Sequence, residues 1–302
     1  MTSNQATSEM ALDPIRERAA EKRADQLISQ LAISDVDDLD VEAIAMTQKA
    51  LVVYGGLSGA EARLSRSPRL SFIRVNDGIP ESGRKRFAIA HELGHLLLHD
   101  GSQLALCSDR ELIGFYTNSP EELEANAFAA ALLMPAALFG PLCRSAKPTL
   151  KAIVEIANRF QVTLTAACVR YLQFSPHRCC LVVSKDRRIK YHRKTNDFGY
   201  FITAREELKS ATYAADYFRG EALPSGMQSV EATAWLEGAR IDSGKMIKED
   251  SIAMPAYNSV LTLLWIDKDI DRYVSGEDEY EAEEAESDSR WSWNRYRDPD
   301  RD

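Results

Sequence analysis

The stretch that most constrains this chain reads Arg86-Phe-Ala-Ile-Ala-His91-Glu92-Leu-Gly-His95-Leu-Leu-Leu-His99 and contains the pattern His-Glu-x-x-His. Residues four positions apart lie on one face of a helix, so His91 and His95 can bind one metal ion together. Glu92 lies beside that face, where its carboxylate can reach a water molecule on the metal. The apolar residues between these side chains indicate a buried helix. A chance match, with the histidines as ordinary core residues, is the alternative unless a third ligand exists.

A second predicted helix supplies that third ligand. Ser119-Pro120 and the two following glutamates are typical of a helix start, with a capping serine and acids in the first turn. Glu122 and Asn126 share one face of this helix, and two histidines with one glutamate are a standard set for catalytic zinc. We predict Glu122 as the third ligand and Asn126 as a side chain that orients a ligand. Glu124 is the competing carboxylate, but it points about 200° away from Glu122 around the helix.

A third histidine follows the motif. The metzincin pattern would require glycine at position 98 and histidine at position 101, where this chain has Leu98 and Gly101. His99 lies one turn beyond His95 along a straight helix, which is too far for both to bind one ion. We interpret His99 as a residue at the carboxyl end of the helix, or one that contacts a metal ligand without binding the ion itself.

Cys107 lies in the segment between the two metal helices. A thiolate is a good zinc ligand, so one hypothesis is that Cys107 occupies the open metal position in a resting state. A buried free cysteine is the simpler interpretation.

Composition indicates an ordinary soluble protein of two domains. The five cysteines are odd in number and lack C-x-x-C spacing, which is typical of a reducing cytoplasm. The first residues do not resemble a signal peptide, and no apolar run approaches the length of a membrane span. The net charge of −9 comes mostly from the C-terminal segment after residue 276, so overall charge neither supports nor excludes a nucleic-acid partner.

Periodicity and capping signals predict seven helices and seven strands. The helices are expected at residues 14–32, 41–49, 84–99, 121–133, 149–160, 163–174 and 206–219. The strands are expected at residues 50–54, 69–75, 178–184, 188–192, 230–236, 246–254 and 259–266. Residues 134–148 are expected to form an irregular, proline-punctuated connection.

Two local features suggest a nucleic-acid partner, and each has a structural alternative. The helices at 149–160 and 163–174 resemble a helix-turn-helix; a plain hairpin that packs on the domain with the metal motif is favoured, because no recognition surface is apparent. The hairpin after residue 178 carries a basic patch with Tyr191 interleaved, which predicts binding of single-stranded DNA by charge and stacking; a solvated hairpin is the alternative. The basic residues are Lys185, Arg187, Arg188, Lys190, His192, Arg193 and Lys194.

Four segments together carry a family resemblance. They are Asp40-Val-Glu-Ala-Ile-Ala45, the stretch 86–99, the stretch Glu122-Leu-Glu-Ala-Asn-Ala-Phe-Ala-Ala-Ala-Leu-Leu-Met-Pro135, and residues 156–163 with 170–172. With these residues the chain resembles the ImmA/IrrE family of zinc metallopeptidases over roughly residues 10–175. The resemblance is most specific in the two metal helices.

The resemblance implies an α+β fold with a minimal zincin-like peptidase domain and one zinc ion per chain. His91, His95 and Glu122 would be its ligands, and Glu92 the catalytic acid and base. Family members typically cut a helix-turn-helix repressor, often encoded nearby, and so derepress genes for DNA damage, mobile elements or phage defence. In IrrE-like members a GAF-like sensor follows the peptidase. A non-catalytic zinc-binding regulator is the rival function, although it would have no need of Glu92.

These expectations divide the chain into five parts. They are a disordered N-terminus (1–12), a zincin-like peptidase domain (13–148), a helical pair (149–175), a mixed α/β sensor-like domain (176–274) and an acidic disordered tail (275–302).

Overall fold

The structure is a computed structural model that describes residues 13–99, 119–237, 241 and 244–268. The described chain divides into two compact units. The first contains the described residues up to Phe139 together with Phe160–Thr163, and the second contains Gly140–Arg159 and the described residues from Leu164 onward. The predicted N-terminal and C-terminal disordered segments and Cys107 lie outside the described residues.

The first unit combines four helices with a three-stranded sheet. In chain order its elements are α1 (Pro14–Gln30), α2 (Val41–Thr47), β1 (Ala50–Gly55), β2 (Ala62–Ser65), β3 (Ser71–Asn76), α3 (Ser82–Leu98) and α4 (Pro120–Leu133). The strand order is β1-β3-β2, with β1 parallel and β2 antiparallel to β3. Helix α3 packs against β2, β3 and α4, and α1 packs against α4.

Local sequence signals account for these elements. Asp13 and Asp40 cap α1 and α2 with their side-chain oxygens, which accept bonds from backbone amides of the first turn. Strand β3 alternates, so Ile73 and Val75 are fully buried whereas Phe72 is 40% exposed. The buried face of this strand lies under α3, which places the metal-motif helix between the sheet and α4.

The second unit is built on a five-stranded antiparallel sheet. Its further elements are α6 (Leu150–Phe160), α7 (Leu164–Phe174), β4 (Cys179–Lys185), β5 (Arg188–Lys194), α8 (Tyr213–Phe218), β6 (Gln228–Glu231), β7 (Met246–Met254) and β8 (Ser259–Trp265); α5 (Ala136–Ser145) spans the division between the units. The strand order is β5-β4-β8-β7-β6. Helix α7 packs against β4 and β5, and α8 packs against β7 and β8.

Two buried acids on β7 bind the amino ends of helices. Glu249 accepts bonds from the backbone amide of Ala214 (2.8 Å) and from the indole of Trp235 (2.7 Å). Asp250 accepts a 2.7 Å bond from the backbone amide of Leu150, at the start of α6. Neighbouring residues of a strand point to opposite faces, so these two carboxylates connect β7 to helices on both sides of the sheet.

The mixed α+β class is confirmed, while several element predictions need correction. Residues 136–145 form α5 with Pro141 inside it, because burial of Phe139 and Cys143 outweighs the lost backbone bond. The sequence missed strand β2. The predicted strand at 230–236 is the shorter β6, which a 3₁₀ turn at Ala232–Ala234 follows. The helical pair, expected on the peptidase core, has its second helix against β4 and β5.

Of the helix predicted at residues 206–219, only Tyr213–Phe218 (α8) is helical. The backbone amide of Ile189 donates to the carbonyl of Glu206 (3.0 Å), and that of Leu208 donates to the carbonyl of Arg187 (2.8 Å). Residues 205–208 therefore pair with the sheet edge at β5, which is a tertiary interaction that helix propensity does not predict. The GAF-like assignment of this unit and the five segment limits stay predictions.

Among the described residues, no single helix is long and apolar enough to cross a membrane; only the bent pair α4 and α5, taken together, passes by length and composition.

Candidate metal centre

Helix α3 places three polar side chains of the metal motif in the interior. His91 is fully buried, and Glu92 and His95 are 1% and 4% exposed. Polar groups are buried at a cost unless they have partners, so their position between the sheet and α4 indicates a built site.

Helix α4 brings Glu122 against both histidines. Its Oε2 lies 3.0 Å from Nε2 of His91, and its Oε1 lies 3.1 Å from Nε2 of His95. The two Nε2 atoms are 3.0 Å apart. The structure thus brings together the three residues that the sequence predicts as ligands, and their ligand atoms all lie within 4.8 Å of one another.

These atoms fit one small cation. A tetrahedral zinc ion with bonds of about 2.0–2.1 Å separates its ligand atoms by about 3.3 Å. The three observed separations of 3.0–3.1 Å are close to that value. Two histidines and a carboxylate also match the donors that catalytic zinc sites use, with a further position left for water.

Asn126 determines which nitrogen of His91 faces the cation position. The amide oxygen Oδ1 of Asn126 lies 2.9 Å from Nδ1 of His91. An oxygen accepts a hydrogen bond, so Nδ1 of His91 carries the proton and its Nε2 presents a lone pair toward Glu122. A lone pair and a carboxylate oxygen at 3.0 Å repel each other unless a cation lies between them. The tautomer that Asn126 selects is therefore the one that a metal ion requires.

The carboxylate of Glu122 is held in its ionised form. Burial alone would raise its pKa, but the neighbouring His91 and His95 outweigh burial and hold the pKa of Glu122 well below its usual range. An ionised carboxylate is the form that binds a metal.

His99 contacts the metal residues through His95. Nδ1 of His99 lies 3.1 Å from Nδ1 of His95, and Nε2 of His99 lies 2.8 Å from Oε2 of Glu124. The other carboxylate oxygen of Glu124 pairs with Nε of Arg16 on α1. Glu124, the carboxylate that the sequence left as a competing ligand, lies beside His99, outside the group of three possible ligands. Sequence reasoning missed Arg16, because nothing local relates α1 to this site.

Arg66, which follows β2, binds the carboxyl end of the metal helix. Its guanidinium donates to the backbone carbonyls of His95 (2.6 Å) and Leu96 (3.3 Å). A cation at the end of a helix stabilises the helix dipole and satisfies terminal carbonyls. The sequence contained no signal for this residue, because the contact depends on the pairing of β2 at the sheet edge.

Helices α3 and α4 approach closely at Gly94. A Cβ atom at this position would lie 3.1 Å from Cα of Ala125 and 3.2 Å from Cδ1 of Phe128, both tighter than ordinary contacts. The glycine inside the metal motif and the alanines of α4 therefore let the helices come near enough for Glu122 to reach both histidines.

The predicted basic patch is divided in the structure. Tyr191, expected to stack on bases, is buried at 8% exposure. Arg187 pairs with Glu207, Arg188 donates to the carbonyl of Arg205, and Lys194 donates to the carbonyl of Tyr200. The stacking role of Tyr191 is therefore wrong, because its position on β5 turns the ring into the unit.

His192 lies beside this patch as a half-buried side chain. Burial, together with the charges of Lys194 and Arg193, lowers the pKa of His192 to about 4. His192 is therefore neutral at physiological pH and adds no charge to the basic patch.

Two buried imidazoles and a carboxylate converge from two packed helices, and a glutamate follows the first histidine in the chain; this is the donor set expected of a metallopeptidase centre. Residues 49–172 match the peptidase family described as the IrrE N-terminal-like domain. The matched segment is therefore similar to the peptidase domain of the ImmA/IrrE family of metallopeptidases.

Two curated relatives support the family. The radiation response metalloprotease IrrE of Deinococcus deserti is 38% identical over 101 residues, which is 33% of this chain and 35% of the relative. The radiation response metalloprotease IrrE of Deinococcus radiodurans is 30% identical over 110 residues, which is 36% of this chain and 33% of the relative. The chain thus matches about a third of the length of these relatives.

A solved structure extends the fold similarity. A Mycobacterium tuberculosis transcriptional regulator superposes with a TM-score of 0.53 at 16% identity, covering 83% of this chain and 76% of that chain. At this identity the similarity concerns the fold alone.

Proposed function

We propose that this chain is a zinc-dependent, site-specific endopeptidase that cuts a helix-turn-helix repressor and so derepresses stress, DNA-damage or phage-defence genes. The observation that carries the peptidase assignment is the convergence of His91, His95 and Glu122 within 3.0–3.1 Å, with Glu92 next to His91 on α3. Two histidines and one glutamate would hold zinc and leave a position open.

Glu92 is the proposed acid and base of the reaction. When bound, zinc lowers the pKa of a water molecule to about 7 and polarises the scissile carbonyl. The Glu92 carboxylate takes the proton of the attacking water and returns it to the leaving amine, so each proton transfer has a fixed donor and acceptor. Glu92 is 1% exposed, so its carboxylate is shielded from bulk water.

Asn126 and His99 contact the ligand histidines on the side away from the proposed metal position. Each contacts the Nδ1 atom of a different ligand histidine, His91 or His95. Such outer partners hold the ring orientation and the tautomer that a metal needs.

The repressor substrate is proposed from the resemblance of residues 49–172 to the ImmA/IrrE family. The curated relatives are radiation response metalloproteases, which supports a role in the response to DNA damage. A protease that cuts a repressor must stay inactive until a signal arrives. For this chain we propose single-stranded DNA as the signal, and the basic residues of the β4–β5 hairpin as its contacts.

The surroundings of that hairpin offer a different aromatic side chain for stacking. Phe201 is 57% exposed, and Nζ of Lys194 lies 5.2 Å from the centre of its ring. A base can stack on an exposed aromatic ring while a nearby lysine contacts the phosphate backbone. Phe201 therefore takes the place that the sequence assigned to Tyr191. Phe201→Ala is expected to weaken DNA binding with the salt dependence retained, and unchanged affinity would count against this contact.

The catalytic assignment is tested by two substitutions. Glu92→Gln should keep a full equivalent of zinc and lose cleavage by about 10²–10⁴-fold, because general acid–base catalysis contributes on that order. His91→Ala should lose both zinc and cleavage.

The substrate in this test is the repressor encoded beside the gene, incubated with and without single-stranded DNA, with fragments identified by mass spectrometry. Full cleavage by the Glu92→Gln variant would refute the acid–base role. A wild-type protein that binds zinc and regulates transcription without ever cutting would support the non-catalytic regulator.

Cys107 remains a proposed resting-state ligand. Constitutive cleavage by Cys107→Ala is expected if its thiolate blocks the open position, and unchanged basal activity would contradict that role.

A further inference from the structure

A line of polar contacts runs from the metal centre to α1. It begins at Nδ1 of His95, passes through both nitrogens of His99, and continues through the carboxylate of Glu124 to Nε of Arg16. The side chains of His99 and Glu124 are 16% and 12% exposed, so this part of the line is largely shielded from water, whereas Arg16 at its end is 44% exposed.

Only one arrangement of protons satisfies every contact in this line. If Nε2 of His95 binds the metal, the proton of that ring is on Nδ1 and is donated to Nδ1 of His99. His99 then carries its own proton on Nε2, which donates to Glu124 at 2.8 Å. Arg16, which can only donate, binds the second oxygen of the same carboxylate. In the opposite tautomer of His99, two N–H groups would face each other across 3.1 Å.

We propose that Glu124 and His99 are positioning residues for His95, with Glu124 acting only through His99 and Arg16 holding Glu124 in place. This inference rests on the proposed metal site. A carboxylate–histidine pair orients a ligand imidazole and makes its metal-binding nitrogen more basic. Arg16 lies on α1, outside the residues 49–172 that match the family, so the metal centre extends beyond the matched segment.

The two ligand histidines are therefore supported differently. His91 is oriented by the neutral amide of Asn126 through one bond. His95 contacts the ring of His99, and His99 in turn contacts the carboxylate of Glu124, which is paired with Arg16. Substitutions on the two sides act on different ligands, so their effects on metal affinity should add.

The test measures the zinc dissociation constant of the full chain by competition with a chromophoric chelator. His99→Ala should weaken zinc binding by about 10–100-fold and Glu124→Gln by about tenfold, since outer partners of metal ligands usually have effects of this size. The double variant should bind zinc no more weakly than His99→Ala alone. Asn126→Ala combined with His99→Ala should show the product of the two single effects.

Glu121→Gln is the matched control, because Glu121 lies on the same helix and also carries a charge near Arg16 and His99, but its hydrogen bond comes from Ser119. Its zinc affinity should stay within about twofold of the wild type. If Glu124→Gln fails to fold, Arg16→Gln is measured instead, because it leaves His99 and Glu124 unchanged. Arg16→Gln should weaken zinc binding by less than His99→Ala does. The visible spectrum of bound cobalt provides a second readout, which should change for Glu124→Gln and stay the same for Glu121→Gln.

Each outcome bears on the proposal. Unchanged zinc affinity in Glu124→Gln, or additive losses in the His99→Ala, Glu124→Gln double variant, would overturn it while leaving the metal site intact. A wild-type chain that binds no zinc would overturn the site and this inference together. Zinc binding without peptide cleavage would refute only the peptidase function, because affinity is measured independently of cleavage.

Discussion

Replacing Gly94 by alanine tests how closely α3 and α4 must approach for the metal centre to form. The new Cβ would lie 3.1 Å from Cα and 3.2 Å from the carbonyl oxygen of Ala125, and 3.2 Å from Cδ1 of Phe128. Two of these three atoms are backbone, so a rotamer change cannot relieve the contact. Because ordinary contact begins at 3.4 Å, α4 must move away by at least a few tenths of an ångström.

Two opposing terms determine the effect on stability. Overpacking of this kind costs about 1–3 kcal/mol. Alanine inside a helix is more favourable than glycine by about 1 kcal/mol. The first unit should therefore lose about 0–2 kcal/mol and still fold.

The effect on metal binding should be larger than the small change in stability suggests. Glu122 lies about one turn from Ala125 on α4, so a shift of the helix moves its carboxylate away from His91 and His95. Metal–ligand distances tolerate deviations of about 0.2 Å, which is comparable to the required shift. We expect zinc affinity to fall by about tenfold, equivalent to about 1.4 kcal/mol.

The assay pairs zinc competition with thermal unfolding, and the control is Gly140→Ala. Gly140 is also a helical glycine, but its tight contacts are with side-chain atoms only, Nη1 of Arg144 at 3.0 Å and Cδ1 of Phe174 at 3.3 Å. That variant should keep its zinc affinity and be as stable as the wild type or slightly more so. Gly94→Ala with unchanged zinc affinity would refute the argument that close helix packing sets the ligand geometry.

Three further predictions concern metal removal, helix capping and pH. Chelation should lower the unfolding temperature of the wild type and leave that of His91→Ala unchanged, because a ligand at 1,000 times its dissociation constant stabilises by about 4 kcal/mol; equal shifts in both proteins would contradict a site at His91. Arg66→Ala should weaken protection from hydrogen exchange at the carboxyl end of α3, whereas Arg69→Ala should not, because the exposed Arg69 makes no hydrogen bond to α3 in the described part of the chain. Burial outweighs the hydrogen bonds to Glu249 and raises its pKa above 4.5, so the folded state holds this proton more tightly than the unfolded state. Its contribution to stability is therefore present in acid and is lost as the pH rises from 4.5 through the raised pKa. The Glu249→Gln variant has no titrating group at this position and does not lose this stability. Between pH 4.5 and 7 the hydrogen-exchange protection of β7 should therefore fall in the wild type relative to the variant. A difference between the two proteins that does not change with pH would contradict the raised pKa.

The ligand set of the metal centre could be predicted because it depends on short-range spacing. His91 and His95 are one helical turn apart, and Glu122 with Asn126 repeats that spacing on the next helix. Capping residues such as Asp13 and Asp40 likewise predicted where helices begin, because a cap acts on amides two or three residues away.

Other features depend on residues that are distant in the chain. The pair of Arg16 and Glu124 joins positions 108 residues apart, and no local pattern relates them. Residues 205–208 have helical propensity, yet they pair with the edge of the sheet because backbone bonds there outweigh it. Tyr191 looked accessible within a basic run, but the register of β5 turns its ring inward.

Sequence alone indicated which side chains could hold a metal ion, since His91 with His95 and Glu122 with Asn126 have one-turn helical spacing. Tertiary structure alone decided how those side chains are positioned. The closeness of α3 and α4 at Gly94, the pairing that positions Arg66, and the line from His95 to Arg16 all arise when separate elements pack. Each of these contacts joins two elements that are distant in the chain, so it forms only when the whole chain packs.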